Sequence, residues 1–149
     1  MDDKEIQRKI EKLGKLANRS RLETERQAEY SRRALEERKR RFEEISAQII
    51  QPSVEYLRTL AGKHHIPITV EACGLSHEGM MLKLGYKYRL SIMPCDEYSE
   101  IICQSLVMNL TGSGYRPDTT ETWTLDEITS QEVKKAILTF IEDAVQTGI

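Results

Sequence analysis

The first third of the chain spaces its apolar residues as a helix does. Between residues 3 and 51 they recur at steps of three, four or seven positions, once over residues 6–17 and again over residues 35–49, without an internal proline. At ~1.5 Å per residue, one helix over this run would be about 70 Å long, roughly twice the diameter of a domain of this size. We therefore expect it to project from the fold or to bind a partner.

The middle of this helix is polar. The apolar face of its two ends continues there through Arg21, Thr24, Ala28 and either Ser31 or Arg32. A coiled coil needs apolar a and d positions over three or four heptads, and the two apolar stretches follow different heptad phases. We therefore predict a helix that packs at its two ends, is solvated between them, and is supported by ion pairs four residues apart.

Pro52 divides the chain into an arm and a domain. Because proline lacks a backbone N–H, it predicts a kink or a restart of the helix at Gln51. A short helix should follow and end near Gly62. We assign residues 1–52 to a long charged helical arm, whose proximal part packs on the domain, and residues 53–149 to a small α+β domain.

Alternation with a period of two predicts the strands. It is clearest over residues 82–92, where eleven positions alternate and Gly85 would mark a bulge. Shorter patterns predict strands at residues 68–72, 98–110 and 120–125. Four strands in this order form an antiparallel β-meander.

The last helix is predicted by its start. Thr129 and Glu132 have the spacing of a capping box, and Ile128 and Val133 occupy the two positions of a hydrophobic staple. An apolar stripe then continues over residues 133–145 and should pack on the sheet. The predicted fold is α+β, with a long N-terminal helical arm, a four-stranded antiparallel meander and a C-terminal helix.

Composition places the chain among soluble globular proteins, with 39% hydrophobic and 31% charged residues. No run of 18 apolar residues is present, so we expect no membrane span. Cys73, Cys95 and Cys103 are odd in number and lack CxxC spacing, which favours free thiols in the cytoplasm.

Charge is uneven along the chain. The first 45 residues hold 14 Lys and Arg against 11 Asp and Glu, whereas the rest hold 8 against 13. A basic arm raises the alternative of a nucleic-acid-binding protein. The candidate anion contacts are four cations of the arm and three cations predicted to share one sheet face: Arg38, Lys39, Arg40, Arg41, Lys83, Lys87 and Arg89. For the three on the sheet, pairing with Glu100 on the neighbouring strand is the plainer interpretation.

A second alternative is a small enzyme of unknown reaction. Cys73 and His77 are suitable residue types, but their spacing matches no zinc signature. Residues 111–114 resemble a phosphate loop only superficially, since no Lys-Ser/Thr pair follows them, and we predict a hairpin turn. An active site would need the turn at 73–79 and the loop at 111–119 to be close together. We predict no catalytic residue, cofactor or metal.

The leading hypothesis is a non-enzymatic interaction protein that self-associates, as a homodimer, or binds another protein through its arm and domain. Without a partner, the distal arm would leave a cluster of large apolar side chains in water, and these are the predicted contact residues: Ile6, Ile10, Leu13 and Leu16.

Deletion of the distal part of the arm should leave the domain folded. We expect the chain 35–149 to keep the cooperative unfolding of the full protein, monitored by the fluorescence of Trp123. The chain 53–149 should melt at lower temperature, because it also lacks Phe42, Ile45 and Ile49, and burying each is worth about 1.5–3 kcal/mol. Equal melting of the two shortened chains would contradict the prediction.

Overall fold

The computed structural model describes residues 1–148. The chain forms a helix, a π-helical turn, a second helix, five strands and a third helix: α1 (Asp3–Ile45), the π turn (Ser46–Ile50), α2 (Gln51–Lys63), β1 (Ile68–Cys73), β2 (Gly79–Leu84), β3 (Tyr88–Pro94), β4 (Glu100–Met108), β5 (Tyr115–Thr124) and α3 (Ser130–Thr147). It divides into two compact units, which we call the distal arm (Met1–Glu37) and the domain unit (Arg38–Ile149).

The distal arm is helical from Asp3 onward. The Asp2 carboxylate accepts a hydrogen bond from the Glu5 N–H at 2.8 Å and so caps the first turn. Glu29 bonds to Arg32 at 2.6 Å and to Arg33 at 3.0 Å. The Arg32 and Arg33 hydrogen bonds lower the pKa of Glu29 to about 2. Ion pairs along the helix thus support an exposed element, as the charge spacing predicts.

The restart of the helix at Gln51 is confirmed. The Gln51 N–H bonds to the Ser46 carbonyl, five residues back, and α2 begins there with Pro52 in its first turn. The π turn lies directly before the proline, whose ring would otherwise clash with the carbonyl four residues earlier. The Ser53 hydroxyl donates to the Ile49 carbonyl at 2.6 Å.

The sheet has five strands in the order β1-β2-β3-β4-β5, all antiparallel. The sheet differs from the sequence prediction in its strand count and in several boundaries. Residues 82–92 form a hairpin and not one strand, β2 begins at Gly79, and β5 begins at Tyr115 and not at residue 120. Leu84 pairs with Tyr88 across a loop of three residues, in which Gly85 has φ 63°. With a three-residue loop, the paired residues on either side are four positions apart in the sequence, so even-numbered residues face the core in both strands. The alternation of apolar and polar residues therefore continues through the turn without a break.

The core lies between one face of the sheet and the helices. The π turn and α2 supply Ile50, Val54 and Leu57, and the sheet supplies residues such as Leu82 and Trp123. Helix α3 adds Val133, Ile137, Phe140, Ile141 and Ala144. Its capping box is confirmed, because the Glu132 N–H donates to the Thr129 hydroxyl at 3.2 Å. The C-terminal helix therefore packs on the sheet as predicted.

The last two turns of α1 belong to the domain unit. Phe42 is only 2% exposed, and its ring lies 6.0 Å from that of Tyr98. The Tyr98 hydroxyl donates to Glu78, and this bond raises the pKa of Tyr98 to about 12. Lys39 lies 3.3 Å from the same Glu78 carboxylate. This end of the helix is held to the β1–β2 and β3–β4 turns by one aromatic contact and a short polar chain.

Substitution of the buried aromatic should destabilise the domain unit. We expect Phe42→Ala to lower the free energy of unfolding by about 3–5 kcal/mol, because it leaves a cavity beside the Tyr98 ring. Denaturant unfolding followed by Trp123 fluorescence measures this loss. Leu75→Ala is the control, because Leu75 is fully exposed and should change stability by less than about 0.5 kcal/mol. Equal effects of the two substitutions would contradict the packing described.

Candidate functional site

One face of the distal arm carries no charge over residues 6–34, between Asp3 and Arg38 at the neighbouring positions of the same spacing. Nine positions at alternating steps of four and three hold only uncharged side chains, although thirteen of the 29 residues between positions 6 and 34 are charged. We call these nine positions the seam: Ile6, Ile10, Leu13, Ala17, Ser20, Thr24, Gln27, Ser31 and Ala34. Their average step of 3.5 residues is that of the a and d positions in a left-handed coiled coil.

The large seam residues are exposed. The exposed fraction is 46% for Ile6, 63% for Ile10 and 59% for Leu13. Leu16 and Tyr30, on the flank of the seam, are 55% and 77% exposed. Four of these five side chains are the contacts that the sequence analysis predicts, and Tyr30 is an addition.

Charges are concentrated on the rest of the helix. Of the thirteen charged residues between positions 6 and 34, only Lys9, Arg21 and Glu23 flank the seam. The ion pairs of Glu29 with Arg32 and Arg33 lie away from the seam. The distal arm is therefore amphipathic in a heptad frame, with an uncharged half and a charged half.

The seam ends where the domain unit begins. The next two positions with the same spacing are Arg38 and Arg41. The Arg38 guanidinium donates to the Glu97 carbonyl at 2.7 Å, and Arg41 forms an ion pair with Asp126. Positions with the seam spacing thus hold uncharged residues in the distal arm, whereas in the domain unit they hold arginines that bond to Glu97 and Asp126.

The seam is not recognised by a search for apolar a and d positions. Ser20, Thr24, Gln27 and Ser31 fail that search, yet none of them carries a charge. Exclusion of charge is the informative signal in a helix this rich in charge. It was readable from the sequence alone.

Six of the seven predicted anion contacts, namely all but Lys87, have bonding partners among residues 1–148 of the protein. Lys39 pairs with Glu78 and Arg40 with Glu44. Lys83 pairs with Glu71 at 2.8 Å, which corrects the expected pairing with Glu100. Strand β1 is the neighbour of β2, and Glu71 lies on it diagonally from Lys83, two residues from the direct partner Thr69. The Arg89 guanidinium lies 4.0 Å above the Tyr115 ring. A phosphate would have to displace these contacts.

The row of three sheet cations is also corrected. Lys83 and Arg89 are direct cross-strand partners, whereas Lys87 lies in the hairpin loop outside the strands. Tyr86 lies in the same loop and is 70% exposed, while Tyr88 belongs to the core. Tyr86 and Tyr88 therefore do not lie side by side on one face of the sheet, because Tyr86 is in the loop and Tyr88 is in β3.

The two segments considered for an active site lie at opposite ends of the sheet. Strand β1 ends at the turn 73–79, and two strand reversals place the β4–β5 loop at the opposite end of the sheet. The required proximity is thus absent, because the meander reverses direction at every turn. Residues 111–114 form the predicted hairpin turn, with Gly112 at φ 71°. Among residues 1–148, no group of three His, Cys, Asp or Glu side chains could hold a metal.

The domain unit has a groove that the sequence analysis did not identify. It has a volume of about 860 Å³ and lies between α3 and the strands β3, β4 and β5. Leu90, Cys103 and Ser105 are among its lining residues, with Lys135 and Arg116 also present. Burial raises the pKa of the Cys103 thiol to about 12, so this sulfur stays protonated and is a poor nucleophile.

No protein-family model, curated protein sequence or solved structure matches this chain. The part of the chain that the structure describes contains no helix with the length and apolar character needed to cross a membrane.

The three thiols should differ in reactivity. Burial raises the pKa of Cys95, but hydrogen bonds from the Ser99 hydroxyl and from backbone N–H groups outweigh this effect and lower it overall. Burial raises the pKa of Cys73. We expect iodoacetamide near neutral pH to alkylate Cys95 first and Cys103 last, as followed by peptide mass spectrometry.

The control for this order is Ser99→Ala, which removes one hydrogen bond to the thiolate. It should slow the alkylation of Cys95 and leave the rate at Cys73 unchanged. Alkylation of Cys103 before Cys95 in the native protein would contradict the burial described.

Proposed function

We propose that this chain is a non-enzymatic interaction protein that self-associates through the seam of its distal arm. The observation that supports this proposal is the seam itself, which excludes charge over four heptads while charged residues occupy most other positions. In a helix surrounded only by water, charges at any position are equally well solvated, so nothing would exclude them from one face. Contact with another surface would exclude charges from the face that is in contact.

The period of the seam also favours a helical partner. A straight α-helix has 3.6 residues per turn, so a stripe with a period of 3.5 drifts by ~20° per heptad around it. Two helices that wind around each other in a left-handed supercoil keep such a stripe at their contact. The partner expected from this period is therefore another long helix.

A second copy of the chain satisfies this requirement. Ile6, Ile10 and Leu13 would be shielded from water at the contact, and so would Leu16 on the flank. Ser20, Thr24, Gln27 and Ser31 add little apolar area to it. We therefore expect association that is weaker than that of an all-apolar coiled coil and that depends on concentration.

The proposal includes a cytoplasmic location. Cys73, Cys95 and Cys103 are all free thiols, and a reducing compartment keeps thiols in that state.

Two exposed leucines provide the test. Leu13 is in the seam, and Leu22 follows nine residues later, so at ~100° per residue it lies on the opposite, charged face. We expect light scattering and sedimentation to show a dimer of the full chain that dissociates on dilution. Leu13→Glu should raise Kd by about a hundredfold or more, because two leucines worth about 1.5–3 kcal/mol each are lost from the contact.

Leu22→Glu is the matched control, with the same substitution on the same helix. It should leave Kd nearly unchanged. A full chain that stays monomeric at high concentration would overturn the proposal, and so would equal effects of the two substitutions.

A further inference from the structure

Side-chain size is uneven along the seam. The large residues Ile6, Ile10 and Leu13 lie at its N-terminal end, whereas Ser20, Ser31 and Ala34 toward the other end are small. If two arms paired in parallel, large residues would face large ones at one end and small residues small ones at the other. The helices would be held apart at the first end and leave voids at the second, and voids forfeit packing contacts.

Resting on the proposed self-association, we infer that the two distal arms pair antiparallel, with the seam of each copy in contact over residues 6–31. This orientation places each large residue opposite a smaller one of the second copy. Ile6 faces Ser31, Ile10 faces Gln27, Leu13 faces Thr24, and Ala17 faces Ser20. The pair is related by a twofold axis and is closed, so it forms a dimer and not a filament.

Flanking charge and the length of the contact select the register. In this register Lys9 faces Tyr30 of the second copy, Leu16 faces Glu23, and Gly14 faces Arg21, so no like charges meet over residues 6–31. Tyr30 is 77% exposed and can offer its ring to the Lys9 ammonium.

Two other antiparallel registers, displaced by one heptad in either direction, also keep large residues against small ones. One sets Arg21 against Arg21 and Glu23 against Glu23 at the twofold axis, and like charges at facing positions destabilise such a pair. The other places Lys9 opposite Glu23 but shortens the contact to residues 6–24. The register centred between Asn18 and Arg19 avoids the like charges of the first and keeps a longer contact than the second.

Single cysteines test the orientation in the full chain. Cys73→Ser and Cys95→Ser provide the background, while Cys103 is kept because it is only 4% exposed. Leu13→Cys and Thr24→Cys are then made separately. In the antiparallel register, each of these positions lies eleven residues, or about 16 Å, from the same position in the second copy. That separation exceeds the Cα distance of a disulfide, so neither variant should cross-link alone.

A mixture of the two variants should form the disulfide-linked dimer on oxidation, seen on a non-reducing gel with the two chains tagged to different mass. Leu22→Cys mixed with Leu13→Cys is the control and should give none, since Leu22 lies on the charged face. Ile10→Cys with Gln27→Cys is a second pair that leaves Leu13 in place.

The outcomes separate this inference from the proposed function. Dimers in which Leu13→Cys cross-links with itself are parallel, and they overturn the inference while self-association stands. Stronger cross-linking of Leu13→Cys with Ser31→Cys than with Thr24→Cys overturns the register. If light scattering finds only monomers of the background protein at high concentration, both proposals fail.

Discussion

The packing of Phe42 against the domain is the contact on which the organisation of the chain depends. Its ring is buried beside Tyr98, and the neighbouring Arg38 and Lys39 bond to the Glu97 carbonyl and to Glu78. These contacts define where the long helix becomes part of the domain unit. Residues before Arg38 are therefore free to follow a different pattern, and the seam is that pattern.

Two parts of one helix thus meet different requirements. Near Phe42 the buried face packs into the core of the domain unit beside Tyr98, and the surrounding cations have acidic or carbonyl partners within that unit. In the distal arm the requirement is absence of charge on one stripe. The side chains there are small or apolar, and their size falls from Ile6 toward Ala34. In the proposed antiparallel pair, this gradient sets the direction of the second arm.

Much of the fold could be predicted from the sequence because local signals agreed with it. Thr129 and Glu132 locate the start of α3, Pro52 locates the restart of the helix, and alternation locates most of the sheet. The hairpin at Gly85 could not be recognised from alternation, since a three-residue loop preserves parity. The partners of the cations were equally hidden, because cross-strand register decides that Lys83 meets Glu71 and not Glu100.

The π turn before Pro52 contains one residue more than an α-helical turn would need to keep the buried residues on one face. From Phe42 to Ala61, both buried, there are 19 residue steps. At 3.6 residues per turn, an unbroken α-helix would leave the two side chains about 100° apart around the helix axis. The π turn takes up one extra residue, so the rotation between the two side chains is about five whole turns and they lie on the same face. The extra residue therefore keeps both on the face toward the sheet. A homologous chain with an ordinary residue in place of Pro52 and one residue fewer between Ser46 and Ile50 would bury the same face with an uninterrupted α-helix. A single-residue gap at this point in an alignment would accordingly mark a change of helix type and not a change of fold.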